Sequence, residues 1–250
     1  TTDKAFIGDP DEYRVTKQSI MELIDEVNRS FGDGKFSYAD VKHTYGGLRP
    51  LVEDQTCETY TTSRRYEIFD NAKNGLNGLI TVEGGKYTTS RNLAENCLQL
   101  VLTKLDRPVR DSITDKTYLA GCEINRIDYF FSNFKKNNMD LSEATVDYLP
   151  RNYGTESYEV LKLARADNIF SEVLNQDGEI MAQVVYAIRK EMAKTLCDIV
   201  MRRTGIGTLG DPGDEILVKD ADVAAKELRW DKNKTEQEIE NVKKILRLPD

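Results

Sequence analysis

The sequence has little cysteine and almost no histidine, and each scarcity excludes a class of site. Its 250 residues include four cysteines and one histidine. Cys57, Cys97, Cys122 and Cys197 lie far apart, without the spacing of a metal-binding or C-x-x-C motif. His43 alone cannot build a multi-histidine metal centre. We therefore expect no bound metal and a reducing compartment, with Cys97 and Cys197 as buried free thiols in apolar stretches.

Long apolar runs and an excess of positive charge are also missing. No run approaches the ~18–20 apolar residues of a membrane-spanning helix. The chain opens with the polar run Thr1-Thr2-Asp3-Lys4 and lacks an initiator methionine, so we expect a fragment without a signal peptide. Its 35 Lys and Arg against 43 Asp and Glu give a net charge of −8. We therefore expect no nucleic-acid partner, because binding nucleic acid requires a dense basic face.

The first part of the chain combines strand and helix signals. Thr16 is a plausible N-cap for an amphipathic helix that ends at Gly32, and a second helix begins near Thr88 or Thr89. Extended segments are expected over 41–52, 60–69 and 79–83, with Asn-Gly turn signals before the last of them.

Helix signals dominate from about residue 113 onward. Ser142 can cap a helix that Pro150 stops. The strongest apolar stripe predicts one long helix over 179–203. Thr235 and Glu238 match a capping box that begins the last helix.

One regular motif in the helical part is a weak signal. Residues 205–210 satisfy the glycine pattern G-x-G-x-x-G. That pattern marks a dinucleotide site only when a strand precedes it and a helix begins within it. Here a predicted helix precedes it and Asp211-Pro212-Gly213 follows, so the sequence favours a glycine C-cap followed by a loop.

Three cationic positions in the first part could serve an anionic ligand. Arg49 lies between Gly46-Gly47 and Pro50, which suits either a directed side chain or a glycine-kinked strand with a surface arginine. Lys86 follows a glycine pair and precedes a helix start, which suits either an anion site or an ordinary N-cap. With Arg64, these side chains could converge on a phosphate if the three strands are neighbours.

These segments resemble a known family, the FAD-dependent glycerol-3-phosphate dehydrogenases and the similar alpha-glycerophosphate oxidases. The resemblance spans nearly the whole chain. Its carriers are Thr1-Thr2-Asp3 with Gly8-Asp9, and residues 47–51, 84–91, 186–193 and 202–204. It implies an enzyme of glycerol metabolism that oxidises sn-glycerol 3-phosphate to dihydroxyacetone phosphate and passes a hydride to FAD. Electrons would then reduce quinone or oxygen. The expected location is cytoplasmic, with peripheral attachment to the inner face of the cytoplasmic membrane.

The resemblance also assigns roles to individual residues. It implies that Arg49 and Arg64 hold the phosphate and hydroxyl groups of the substrate, and that Lys86 lies near the flavin ring. Lys86 and Arg49 are therefore the expected catalytic residues. The cofactor-binding segment would be Gly85, Lys86, Tyr87, Thr88 and Thr89, on the pyrimidine edge of the flavin.

The N-terminal half of that family, with its dinucleotide fingerprint, has no counterpart here. We therefore expect an α+β chain with two parts. Residues 1–110 would be the remnant of the FAD and substrate domain, with a mixed sheet, and 115–250 an all-helical C-terminal domain. FAD binding by the chain alone would be weak or absent, and exposed strand edges could support a homo-oligomer. The alternative function is a stand-alone helical interaction module without catalysis.

Overall fold

The chain folds into two compact units. In a computed structural model, residues 4, 6–32, 34–48, 66–84 and 86–250 are described. The first unit comprises Thr1–Arg14 and Gly46–Thr117, and the second comprises Val15–Tyr45 and Tyr118–Asp250. The expected domains, 1–110 and 115–250, differ from this division because 15–45 groups with the later helices. The assignment of those two domains stays a prediction.

The described residues form two strands and nine α-helices. In chain order they are α1 (Lys17–Phe31), β1 (Tyr66–Asp70), β2 (Ile80–Gly84), α2 (Ser90–Lys104), α3 (Ile127–Asn137), α4 (Glu143–Tyr153), α5 (Ser157–Ala166), α6 (Ala182–Lys190), α7 (Leu196–Asp198), α8 (Asp214–Leu228) and α9 (Lys232–Leu246). Short 3-10 helices occur at Pro10–Glu12, Tyr38–Asp40, Asn71–Asn74, Tyr87–Thr89 and Gly154–Glu156, and a π-helix spans Ile199–Arg203. None of the described helices is long and apolar enough to cross a membrane.

The first unit is built on one hairpin and one helix. Strands β1 and β2 pair antiparallel, from Tyr66 opposite Gly84 to Asp70 opposite Ile80. The expected turn between them is confirmed: Gly75 and Gly78 have φ of 81° and 86°, which glycine adopts without steric cost. No side chain in the described part of this unit is fully buried. Its core is therefore incomplete within the described residues.

The second unit has a dense apolar core around α6. All seven residues from Ala182 to Ile188 are buried. This helix packs between α5 and α8, so both sides of it lie against apolar side chains. The capping of α1 is as expected: Thr16 and Ser19 form a reciprocal capping box, and Gly32 ends the helix with φ 82°.

The α+β class and the helical second part are confirmed, but three other expectations are corrected. The sheet is not mixed, because the described strands form one antiparallel pair. Residues 41–48 of the expected segment 41–52 are not a strand, and the rest of that segment lies outside the described residues. Cys97 and Cys197 are half-buried rather than buried.

The expected single helix over 179–203 is also wrong, because the chain breaks after α6. Met192 has φ 60°, and Thr195 starts a new helix by accepting a hydrogen bond from the Asp198 amide at 3.0 Å. The apolar stripe continues through the break, with Leu196 and Val200 fully buried. The periodicity of apolar residues therefore predicted correctly which residues are buried, but it did not predict the break in the helix.

Two helix ends also differ from expectation. Pro150 lies inside α4 and does not stop it; Leu149, Pro150 and Tyr153 are all buried, and their packing offsets the lost hydrogen bond. The last helix begins one turn early, because the Asp231 side chain accepts from the Lys234 amide at 2.7 Å. Asp is as good an N-cap as Thr.

Candidate functional site

Residues 86–89 form an exposed turn at the start of α2. Gly84 ends the strand with φ 73°, Lys86 is exposed, and the Tyr87 side chain is 100% exposed. The Thr89 hydroxyl is engaged within the turn, because it donates to the Lys86 carbonyl at 3.1 Å. Thr88 makes no side-chain hydrogen bond within the described residues. The turn therefore offers a lysine, a free hydroxyl and helix-start amides in one place.

Polar contacts near both ends of α2 fix this helix along β1. The Tyr66 hydroxyl donates to Asn92 Oδ1 at 2.6 Å near the helix start. Near the helix end, Lys104 Nζ lies 2.7 Å from both carboxylate oxygens of Asp70. The hydrogen bond from Lys104 lowers the pKa of Asp70, with a smaller contribution from the Ala72 amide. These contacts hold the turn that carries Lys86 in a set position relative to the hairpin.

Of the seven expected site residues, four lie together in the structure and three lie outside the described residues. Lys86, Tyr87, Thr88 and Thr89 share one turn. Arg49, Arg64 and Gly85 lie outside the described residues, so their convergence with Lys86 stays a prediction. The loop of Gly205 to Gly210 follows a π-helix rather than a strand, which confirms that it is not a dinucleotide fingerprint.

A second candidate site is a cavity of about 810 Å³ within the second unit. Its walls come from one face of α4, the loop 176–179, Glu191 and the segment 202–209. Sequence reasoning missed this site. Its members lie far apart in the chain, and the one local signal was the pair Arg202-Arg203, which entered only through the family resemblance.

One side of the cavity is a chain of hydrogen bonds around a buried carboxylate. Glu179 is 2% exposed; it accepts from the Tyr148 hydroxyl and from Asn175 Nδ2, both at 2.6 Å. Burial, followed by the hydrogen bond to Glu179, raises the pKa of Tyr148. Gly205 is required beside this pair, because a Cβ there would lie 2.5 Å from Tyr148 Oη. These side chains are therefore fixed and satisfied.

Glu191 and Arg203, in contrast, are not fixed by such hydrogen bonds. Glu191 Oε2 is buried without a hydrogen-bond partner. Burial raises the pKa of Glu191, and the charge of Arg203 acts against that shift. Arg203 is exposed and forms no ion pair within the described part of the chain. This side of the cavity therefore contains a buried oxygen without a hydrogen-bond partner and an arginine whose charge acts on the same carboxyl group.

A further carboxylate without a hydrogen-bond partner lies in the core, on α8. Asp220, in the middle of α8, is 0% exposed, and both of its oxygens lack a hydrogen-bond partner. Burial, followed by the nearby Glu179 charge, raises the pKa of Asp220 to about 8. This side chain therefore carries a proton at neutral pH.

Comparisons with known proteins found similar sequences for both units. Residues 112–235 match the family model described as the C-terminal domain of alpha-glycerophosphate oxidase. A glycerol-3-phosphate dehydrogenase of Synechocystis sp. is 29% identical over 96% of this chain and 44% of its own length. D-erythritol 1-phosphate dehydrogenase of Brucella abortus is 32% identical over 82% of this chain and 40% of its own length.

A solved structure shares the fold of nearly the whole chain. The glycerol-3-phosphate dehydrogenase from Bacillus halodurans, complexed with FAD, superposes with a TM-score of 0.79 at 22% identity. The match covers 98% of this chain and 47% of that one. The chain thus spans less than half the length of the proteins that it matches here.

Proposed function

We propose that this chain is the C-terminal part of an FAD-dependent enzyme that oxidises sn-glycerol 3-phosphate to dihydroxyacetone phosphate. The observation that carries this proposal is the alignment of 96% of the chain with the Synechocystis glycerol-3-phosphate dehydrogenase. The fold shared with an FAD-complexed dehydrogenase supports the same cofactor. In this proposal the activity belongs to the complete protein that carries the chain.

The turn before α2 has the chemistry that a flavin needs. The first amides of a helix have no intrahelical acceptor, so they can donate to the oxygen and nitrogen atoms of the flavin pyrimidine edge. The Thr88 hydroxyl has no other partner within the described residues, and Lys86 is exposed without an ion pair there. We assign the segment Gly85 to Thr89 to that edge. Lys86 then stabilises negative charge close to the ring.

Substrate binding falls to two arginines in this proposal. Arg49 and Arg64 would form charge-assisted hydrogen bonds to the phosphate and hydroxyl oxygens of glycerol 3-phosphate. In this proposal the contact orients the secondary alcohol. Arg49 would also be catalytic, because its side chain would contact the reacting hydroxyl. The oxidising power would come from FAD held at this site, which would serve as the acceptor of the hydride from the alcohol carbon. The hydroxyl proton leaves separately, so that the alcohol becomes a ketone.

The electron acceptor and the location follow from the same proposal. We propose quinone or oxygen as the acceptor and a cytoplasmic enzyme held peripherally at the inner face of the membrane. Self-association through the hairpin edges is supported by the lack of a further paired strand within the described residues. Comparing ubiquinone analogues with oxygen, liposome flotation and sedimentation velocity test these three points.

Activity of the complete protein tests the proposal. We expect flavin bound at about one per chain and reduction of that flavin by glycerol 3-phosphate under anaerobic conditions. D-erythritol 1-phosphate serves as the competing substrate, because a relative is named for it. A preparation without flavin and without activity towards either phosphate would instead favour the non-catalytic helical module.

Two substitutions test the role of the turn. In the complete protein, Lys86→Met should slow flavin reduction at saturating substrate by tenfold or more, because a charge near the ring is lost. Lys116→Met is the matched control, since Lys116 is equally exposed in the same unit. Equal rates for both variants would contradict the assignment of Lys86.

Two further substitutions test the substrate arginines. Arg49→Ala and Arg64→Ala should each lower kcat/KM for glycerol 3-phosphate by roughly 30- to 1000-fold, because a charge-assisted pair is worth about 2–4 kcal/mol. Flavin content should survive. Arg110→Ala, at an exposed arginine of the first unit, is the control. Wild-type kcat/KM in both test variants would refute the assignment.

A further inference from the structure

The two turn glycines between β1 and β2 each follow an asparagine. Asn74-Gly75 and Asn77-Gly78 lie on the connection between the strands, and all four residues are exposed. Asparagine is a thermolabile residue. Before glycine it loses its side-chain amide most readily, because the absent Cβ leaves the glycine nitrogen unhindered for attack on the asparagine side chain. Both peptide bonds are therefore candidates for a spontaneous covalent modification.

The first of these bonds is protected by its local structure. Asn74 is the last residue of the 3-10 helix Asn71–Asn74. The Gly75 amide donates to the Ala72 carbonyl at 3.0 Å, so its nitrogen is held in the hydrogen bonding of that helix. Attack on the asparagine side chain requires a glycine nitrogen that has lost its proton, and a donated hydrogen bond opposes that loss. We therefore expect Asn74 to react slowly.

The second bond lacks this protection. Residues 76–79 form a turn that is closed by the Leu79 amide, which donates to the Leu76 carbonyl at 3.3 Å. The closing bond of such a turn does not use the amide of the third residue, here Gly78. This amide donates to no acceptor within the described residues. In the same part of the chain, the Asn77 side chain has no hydrogen-bond partner. Both reacting groups are therefore free.

We propose that Asn77 deamidates spontaneously and that it, rather than Asn74, is the modification site of the hairpin. The Gly78 nitrogen loses its proton and attacks Asn77 Cγ, and the side-chain nitrogen leaves with one proton more, as ammonia. Water then opens the resulting succinimide ring at either carbonyl carbon. One opening gives aspartate, and the other gives isoaspartate, in which the backbone runs through the former side chain. The exchange of ammonia for water adds one negative charge, and it is independent of the proposed redox reaction.

Isoaspartate has a defined structural consequence at this position. It lengthens the backbone between residues 77 and 78, inside the turn that the hydrogen bond from Leu79 to Leu76 closes. The Leu79 carbonyl also accepts from the Asn71 amide at 3.1 Å. Because turn geometry sets the pairing of a hairpin, the modification should loosen this end of the connection between β1 and β2.

Peptide mass mapping of the 250-residue chain, incubated at mildly alkaline pH, tests the proposal. Fragmentation should place the exchange of amide for acid at Asn77 about tenfold more often than at Asn74, since one hydrogen bond is worth about that factor. In the urea-unfolded chain the two positions should react equally, because the protecting bond is gone. An unmodified Asn77, or the same preference in folded and unfolded chains, would overturn the proposal.

Matched variants connect the modification to the hairpin. Asn77→Gln should abolish it in the hairpin peptide, because glutamine closes the corresponding ring less readily, whereas Asn74→Gln should leave it unchanged. Isoaspartate in that peptide is detected by enzymatic methylation of its free carboxylate with S-adenosylmethionine as the methyl donor. Incubation should speed hydrogen exchange of the Leu79 amide in the parent and in Asn74→Gln, but not in Asn77→Gln. Methylation of the hairpin peptide from incubated Asn77→Gln would refute the assignment.

Discussion

Asp220 makes the stability of the second unit depend on pH in a direction opposite to that of most carboxylates. The folded protein holds this group at a pKa of about 8, against an ordinary value of 3.8. Between these two values the unfolded chain has lost the proton and the folded chain still holds it. The free energy of unfolding must therefore fall as pH rises from about 4 to 8, and the contribution becomes constant above 8.

The magnitude follows from the width of that window. Each pH unit within it lowers the free energy of unfolding by about 1.36 kcal/mol. From pH 5 to pH 8 the loss is thus about 4 kcal/mol, a large share of the roughly 5–15 kcal/mol typical of a domain. Asp220→Asn keeps the shape but cannot ionise. We expect the stability of this variant, relative to the parent, to grow by about 4 kcal/mol over the same interval.

Urea denaturation followed by the fluorescence of Trp230 measures this difference. Trp230 is the single tryptophan and packs against the core that surrounds α8. Asp222→Asn is the control, because Asp222 is an exposed neighbour on the same helix. Comparing the change with pH removes any constant cost of burying the amide. Parallel curves for Asp220→Asn and the parent between pH 5 and 8 would refute the reasoning.

Three further outcomes are expected. Gly205→Ala should lower the free energy of unfolding by about 1–3 kcal/mol, because its Cβ would overlap Tyr148 Oη; Gly47→Ala, which meets nothing within 4 Å, should be near neutral in the same urea titration. The purified 250-residue chain should be colourless, since the pyrophosphate loop of the family is absent from it; a flavin absorbance band at near-stoichiometric content contradicts this. Amide exchange should be slowest in α5, α6 and α8 and faster in β1 and β2, whereas uniform protection of both units in a monomeric sample would show that the first unit is a complete domain.

Local chemistry explains which parts of the fold the sequence could predict. The Thr16 cap and the Gly32 end were predictable because both depend on a few adjacent residues. The break after α6 was missed because the apolar stripe runs through it. The sequence signal for this break was Thr195 followed three residues later by Asp198. The two residues form a capping box in which Asp takes the place of the usual Glu or Gln.

The same distinction applies to the two candidate sites. The turn at Lys86 was predictable, because a strand, two glycines, a lysine and hydroxyls stand in one short run. The cavity was not predictable, because Tyr148, Glu191 and Gly205 meet only after α4, α6 and the π-helix have packed together. Likewise, the burial of Asp220 depends on tertiary packing, and nothing in its local sequence sets it apart from Asp222.

Helix α6, with its seven buried positions, and the first unit, whose described side chains are not fully buried, differ in how much sequence change each can accept. In α6, seven successive positions are buried, so nearly every substitution there opens a void or creates a clash. In the described first unit, side chains such as Leu98 and Leu105 are 56% and 59% exposed. Packing within the unit places little restriction on their size. Amino-acid substitutions should therefore accumulate on α2, except at positions that another protein surface covers. Apolar residues of α2 that are retained among divergent relatives would mark the face that is covered.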